Sequence, residues 1–280
     1  MPEPLSPPGL AEYLATPTEA ERQFRRLFRA DEPLVICDIG ACEGEDSVRY
    51  ARLFPRARVY AFEPLPANQA LVRANFARYA VANAELVPLA LSDRAGVASF
   101  NVSSGRPPEL FAGEDWNYGN KSSSLLPPAQ SGPMHGWIEF KETITVPTAT
   151  LDRFCAEREI HRIDFIQMDV QGAEHLVLAG AARMLARTTA VWLEVSSREL
   201  YRGQALDRDI TRVMAAQGFS LAFAVSLGRT TGEGDHLYLN RRRVRAWPYL
   251  AYRQATLLAR RVRALAGRLK RAVLGVTASP

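Results

Sequence analysis

The chain has 280 residues, a net charge of +5, a hydrophobic fraction of 47% and a charged fraction of 23%. That balance excludes wholesale disorder, and no apolar run approaches the ~20 residues needed to cross a bilayer. Three cysteines with no paired C-x-x-C exclude a disulfide scaffold and a four-cysteine zinc site, and the first residues lack a secretory pattern, so a cytoplasmic setting is expected. The charge is segregated. Residues 241–280 hold eleven Lys and Arg and no acid, whereas residues 1–240 hold 24 basic and 30 acidic side chains, a net of −6. An acidic body with a basic tail argues against a nucleic-acid surface spread over the fold.

In chain order, residues 1–33 read as a Pro-rich start and a lead-in helix on which Phe24, Leu27 and Phe28 share a face. Leu34–Ile39 reads as a buried strand, Asp46–Phe54 as a helix ended by Pro55, Arg58–Phe62 as a strand, Ala67–Tyr79 as a helix and Ala84–Ala90 as a strand. This βαβαβ alternation predicts a parallel sheet with right-handed crossovers. Val97–Val102 alternates like a hairpin arm, and residues 103–142, rich in Gly, Ser, Pro and Asn, predict a long inserted loop. Strands follow at Thr143–Val146, Ile163–Asp169, Thr189–Val195, Phe219–Val225 and His236–Asn240, with helices at Thr150–Arg158, Ala173–Ala186 and Leu206–Gln217. The expected architecture is one α/β domain over residues 34–240, with a Rossmann-like, mostly parallel sheet of seven strands.

The chemistry sits at the strand ends. The run VICDIGACEGEDS ends a buried strand with Asp38 and follows it with Gly40 and Gly44, a turn that lets backbone approach a ligand at the carboxyl edge of the sheet. It is neither G-x-G-x-x-G nor a phosphate-cradling P-loop, and Asp38 suits an amino or cationic group. Glu63 ends the next strand and can accept both hydroxyl hydrogens of a ribose. Ser92 and Asp93 follow the third strand, where a purine edge could be read. Together these three ends point to a nucleoside ligand.

The segments VICDIGACEGEDS, VYAFEPLPANQALVRAN, ELVPLALSDRAGVASF, GNKSSSLLPP, TATLDRF and IDFIQMDVQGAEHLVLAGA, with VWLEVS after them, resemble the FkbM-type family of class I S-adenosylmethionine-dependent methyltransferases. The resemblance spans roughly residues 34–240. It implies S-adenosylmethionine as cofactor, with Asp38 and Gly40 near its methionine moiety, Glu63 on its ribose, and Ser92 and Asp93 near its adenine. Two positions depart from the family pattern: Gln167 stands where Lys is usual, and Gln171 where an acid is common.

For the transfer itself, Asp169 and Glu194, at the ends of the fourth and fifth strands, are expected over the methyl group, with Glu174 opening the next helix. Such carboxylates can act as general base or hold a divalent cation that acidifies a hydroxyl. The acceptor implied by the resemblance is a sugar hydroxyl of a glycan, glycolipid or glycosylated metabolite. His175 and His236 are weaker candidates, and Trp116–Leu126 mixes aromatic and amide groups as a substrate lid would. In the tail, Leu258, Val262, Leu265, Leu269 and Val273 share a helical face opposite most of the basic residues, after Trp247, Tyr249 and Tyr252. This predicts peripheral attachment to an anionic membrane. Competing readings are a methyltransferase for nucleic acid or another small molecule, and a non-catalytic membrane adaptor. The acidic body and the intact strand-end residues argue against the nucleic-acid and adaptor readings respectively.

Overall fold

The computed structural model describes residues 10–106, 118–129, 136–225 and 232–243. Trp116, Asn117, His135 and the amphipathic stripe of the tail lie outside the described residues. Among those described, the helices are α1 (Leu10–Ala15), α2 (Glu19–Leu27), α3 (Glu45–Leu53), α4 (Pro66–Arg78), α5 (Leu151–Glu157), α6 (Glu174–Ala179), α7 (Ala182–Leu185) and α8 (Asp207–Ala216). The strands are β1 (Val35–Ile39), β2 (Arg58–Phe62), β3 (Ala84–Val87), β4 (Ala90–Leu91), β5 (Gly96–Ser104), β6 (Glu139–Ala149), β7 (Ile163–Met168), β8 (Thr188–Ser196), β9 (Phe219–Ala224) and β10 (Glu233–Asn240).

Seven strands form one sheet in the order β3-β2-β1-β7-β8-β10-β9. All pairs are parallel except those of β10, which runs antiparallel to β8 and β9. The chain builds outward from β1 to β3, then restarts at β7 on the other side. Between β1 and β7 lies the switch point where open α/β sheets leave a crevice. Both faces of the sheet are covered, which is why β1, β7 and β8 read as near-continuous apolar runs. One face packs Cys37, Ile39, Tyr60, Phe62, Ile166 and Met168 against Leu151 and Phe154 of α5 and Val177 and Leu178 of α6. The other packs Ile36, Phe165, Trp192 and Leu237 against Tyr50 of α3 and Phe54 just after it.

The lead-in helix belongs to that second layer. Phe24 is fully buried, with its ring centroid 4.1 Å from that of Phe165 and 4.7 Å from that of Phe54. Burying such a ring contributes ~1.5–3 kcal/mol. Arg49 of α3 ties both N-terminal helices down: it pairs with Glu21 of α2 at 2.6 Å and donates to the Tyr13 carbonyl of α1. The Tyr13 hydroxyl donates to Asp46 at 2.8 Å.

Three sequence expectations need correction. The strand expected over Ala84–Ala90 is two: Pro88 has no N–H to donate, β3 ends at Val87, and β4 joins a separate sheet ordered β4-β6-β5. The helix expected over Ala173–Ala186 breaks at Gly180, where a β-carbon would lie 2.1 Å from the Ser92 carbonyl oxygen. The inserted loop is shorter than 103–142, because β5 continues to Ser104 and β6 already starts at Glu139, paired antiparallel along their length. A 3-10 turn, Tyr118–Ser122, lies inside the insertion.

Candidate active site

β1 leaves the core at Ile39 and turns at Gly40, whose φ is +86°. A β-carbon at Gly40 would sit 1.8 Å from the Asp169 carbonyl oxygen, so only glycine lets the ends of β1 and β7 meet. The Asp169 N–H closes that junction on the Ile39 carbonyl at 2.9 Å. Two adjoining clefts open along this edge, of about 520 and 460 Å³ when the space open to solvent is counted. Gly40, Cys42, Lys121 and Asp169 line both.

The larger cavity has a polar and an apolar end. At the polar end Glu63, 4% exposed, accepts from the Cys42 and Leu65 backbone N–H groups, each at 2.8 Å. The nearby Asn68 amide also favours its ionised form. Burial nevertheless outweighs these donors and pushes the Glu63 carboxyl up to about 8. Leu89, Ala90, Leu91, Phe100 and Leu125 form the apolar end. The smaller cavity is lined by Asp38, Glu45, Asp46, Gln167 and Lys121. Asp38 accepts from the Ser47 hydroxyl at 2.6 Å, and burial, then Asp46, hold its carboxyl well above the ordinary range. Gln167 is fixed by the Tyr50 hydroxyl, which donates to its Oε1 at 3.0 Å.

Beside the shared wall, Asp169, Glu174 and Glu194 each offer an oxygen within 4.8 Å of the others. Glu174 is buried and accepts from the N–H groups of Val170 and Gly172. Gln171 Nε2 donates to Asp169 at 2.7 Å and to Glu194 at 3.1 Å, bridging the two. The Tyr201 hydroxyl lies 2.8 Å from Gln171 Oε1 and 2.7 Å from the Ser122 carbonyl oxygen, tying this group to the inserted turn. Burial pushes Glu174 up to about 7, and burial with the nearby Asp169 charge holds Glu194 well above its usual range. Asp169 opens onto cavity space, yet the surrounding walls still raise its carboxyl against the pull of Gln171 and Lys121. Three mutually repelling carboxylates titrate as a set and bind a proton more readily than a solvated carboxylate does.

Of the residues singled out from sequence, Asp38, Gly40, Glu63 and Asp169 line the cavities, and Glu174 and Glu194 cluster with Asp169. Gly44 instead caps α3 at φ +76°. Ser92 and Asp93 lie just past the apolar end, bonded to each other at 3.1 Å. His175 and His236 line neither cavity, and His236 Nδ1 sits 3.0 Å from the Tyr238 hydroxyl. Sequence reasoning gave Asn120 and Lys121 to a substrate lid, whereas both stand in the wall of the larger cavity. The sequence signal that could have placed them is the family resemblance of the GNKSSSLLPP segment, which singles this stretch out from the rest of the Ser-rich insertion.

The strand order, with β10 reversed and a glycine turn at the switch point, defines the class I methyltransferase fold. Residues 38–221 match the Methyltransferase FkbM domain, and the chain belongs to that family. It is 36% identical over 197 residues to the 2-O-methyltransferase NoeI of Sinorhizobium fredii, covering 69% of this chain and 77% of that one. It is 29% identical over 180 residues to the AMB antimetabolite synthetase AmbE of Pseudomonas aeruginosa, covering 59% of this chain and 8% of that much longer protein. Among solved structures it is similar to an S-adenosylmethionine-dependent methyltransferase from Aquifex aeolicus, with a TM-score of 0.40, 11% identity, and 84% and 100% of the two chains covered. The protein is an S-adenosylmethionine-dependent methyltransferase.

Proposed function

We propose that this enzyme methylates a sugar hydroxyl in a glycan, a glycolipid or a glycosylated metabolite, with Asp169, Glu174 and Glu194 handling the proton that leaves. The observation that carries this reading is the carboxylate cluster beside the wall shared by the two cavities. The similarity to a 2-O-methyltransferase supports oxygen as the acceptor atom.

The residues present fit S-adenosylmethionine. Gly40 keeps side-chain bulk out of the junction, where a β-carbon would clash. Each Glu63 oxygen accepts one backbone N–H and retains lone-pair capacity for a ribose hydroxyl. The apolar end suits an adenine ring, with Ser92 and Asp93 nearby, and Asp38 in the smaller cavity suits the amino group. When bound, the cofactor supplies a methyl carbon already activated by its sulfonium. The chain must orient the hydroxyl and take its proton. Asp169, open to the cavity and made more basic by its walls, takes the proton, with Gln171 linking it to Glu194 and Glu174 beside them.

The test is transfer from S-adenosylmethionine to a panel of sugar acceptors, read as S-adenosylhomocysteine formed and as the methylated product by mass spectrometry. Asp169→Asn should still bind S-adenosylhomocysteine but lose about 100-fold or more in rate, the usual scale of general-base catalysis. A fully active variant would refute the assignment. The same three carboxylates also support a divalent-cation reading, since their oxygens are close enough to share one ion. On that reading, chelation abolishes transfer and magnesium restores it; activity undiminished by a chelator rejects it.

In this proposal residues 34–240 are the cofactor-binding unit, 1–33 its cap, the segment between Ser104 and Glu139 the insertion, and 241–280 a basic tail for an anionic membrane surface. No helix among the described residues is long and apolar enough to cross a membrane.

A further inference from the structure

We propose that the 3-10 turn of the insertion is part of the cofactor site itself: Lys121 receives the methionine carboxylate and Asn120 accepts a hydrogen bond from the ribose. This rests on the reading of the cavities as an S-adenosylmethionine site.

Two independent observations carry it. The first is charge. The smaller cavity, where Asp38 stands, is lined by four carboxylates, Asp38, Glu45, Asp46 and Asp169, and among its described lining residues Lys121 is the one cation. An amino-acid end brings both an ammonium and a carboxylate into that space. The acidic wall suits the ammonium, and the carboxylate needs a cation within reach, which is Lys121. In the present state Lys121 Nζ is held by Glu45 at 2.6 Å, so the ammonium is already aimed across this cavity mouth, where a ligand carboxylate can share it.

The second is an unpartnered acceptor. Asn120 is 6% exposed and its amide nitrogen donates to Asn68 Oδ1 at 2.8 Å, and Asn68 lines the same cavity as Glu63. The Asn120 Oδ1 atom is buried and has no hydrogen-bond partner. A buried carbonyl without a partner is unfavourable, and this one lies in the wall of the same cavity as the carboxylate that suits the ribose. A ribose hydroxyl is a donor that would satisfy it.

The experiment is calorimetric titration of the full chain with two ligands, S-adenosylhomocysteine and 5′-methylthioadenosine, which keeps the nucleoside but lacks the amino-acid end. Lys121→Met should weaken S-adenosylhomocysteine about ten- to hundredfold, the scale of a charge-assisted hydrogen bond, and leave 5′-methylthioadenosine unchanged. Lys121→Arg should recover most of the loss. Asn120→Ala should weaken both ligands by a similar factor. Equal weakening of both ligands by Lys121→Met, or no weakening of either, overturns the Lys121 assignment while leaving the cofactor reading intact. Unchanged affinities in Asn120→Ala overturn the Asn120 assignment. A native protein that binds neither ligand overturns the cofactor reading as well.

Discussion

Glu63→Gln separates the two effects that compete at the ribose end of the cavity. Burial lifts the Glu63 carboxyl from 4.5 to about 8. Each factor of ten in its ionisation constant corresponds to ~1.4 kcal/mol, so at pH 7 this group costs the ligand-free fold about 3 kcal/mol relative to low pH, because the unfolded chain ionises there while the buried carboxyl stays largely protonated. The sign follows from the raised value: the stability this group contributes is complete below about pH 4.5 and is lost as pH rises toward about 8. Glutamine has the same shape and no charge, but only one oxygen. One of the Cys42 and Leu65 N–H groups therefore loses its acceptor, at a cost of ~1–3 kcal/mol independent of pH. The variant should be less stable than the native chain at pH 5, with the gap closing or reversing by pH 8. Over that range the difference should move by about 3 to 4 kcal/mol, a relative Tm change on the order of 10 °C for a chain of this size. The other raised groups, Asp46 and Glu174 among them, are common to both proteins and cancel in the comparison. Thermal unfolding of both proteins from pH 5 to 8 reads it. A gap that does not change with pH would refute the burial argument for Glu63. In the same samples the variant should bind S-adenosylhomocysteine more weakly at pH 8, where the native carboxylate is ionised enough to accept ribose hydroxyls.

Gly40→Ala forces a β-carbon to within 1.8 Å of the Asp169 carbonyl at a backbone angle that disfavours side chains; a loss of ~3 kcal/mol or more is expected, seen as a lowered Tm, and an unchanged Tm would contradict the close approach of β1 and β7. Deleting residues 244–280 should leave a folded body that no longer sediments with anionic vesicles, and undiminished sedimentation would remove the membrane role of the tail.

The central strands were legible because burial on both faces writes unbroken apolar runs: Arg58–Phe62 was read to the residue, and β1 and β7 to within one at an end. The strand-end acids were legible for the same reason, since the end of such a run marks the sheet edge. Elements whose limits depend on contacts from elsewhere in the chain were misread. Gly180, where the helical pattern breaks, is held by contacts from elsewhere in the chain: the Ser92 carbonyl fills the space a β-carbon would need, and the Asp152 N–H donates to its carbonyl at 3.0 Å. The polar first half of β6 looked like loop because much of that half is exposed. Gln171 was noticed only as a departure from a family pattern, and its bridge between Asp169 and Glu194 depends on β8 and Tyr201 arriving from 23 and 30 residues away.

The most direct test is calorimetric titration of the purified chain with S-adenosylhomocysteine, repeated on Asp38→Ala. The account predicts micromolar binding by the native protein and its loss in the variant. No binding by the native protein, or equal binding by both, would contradict the placement of the cofactor at the ends of β1 and β2.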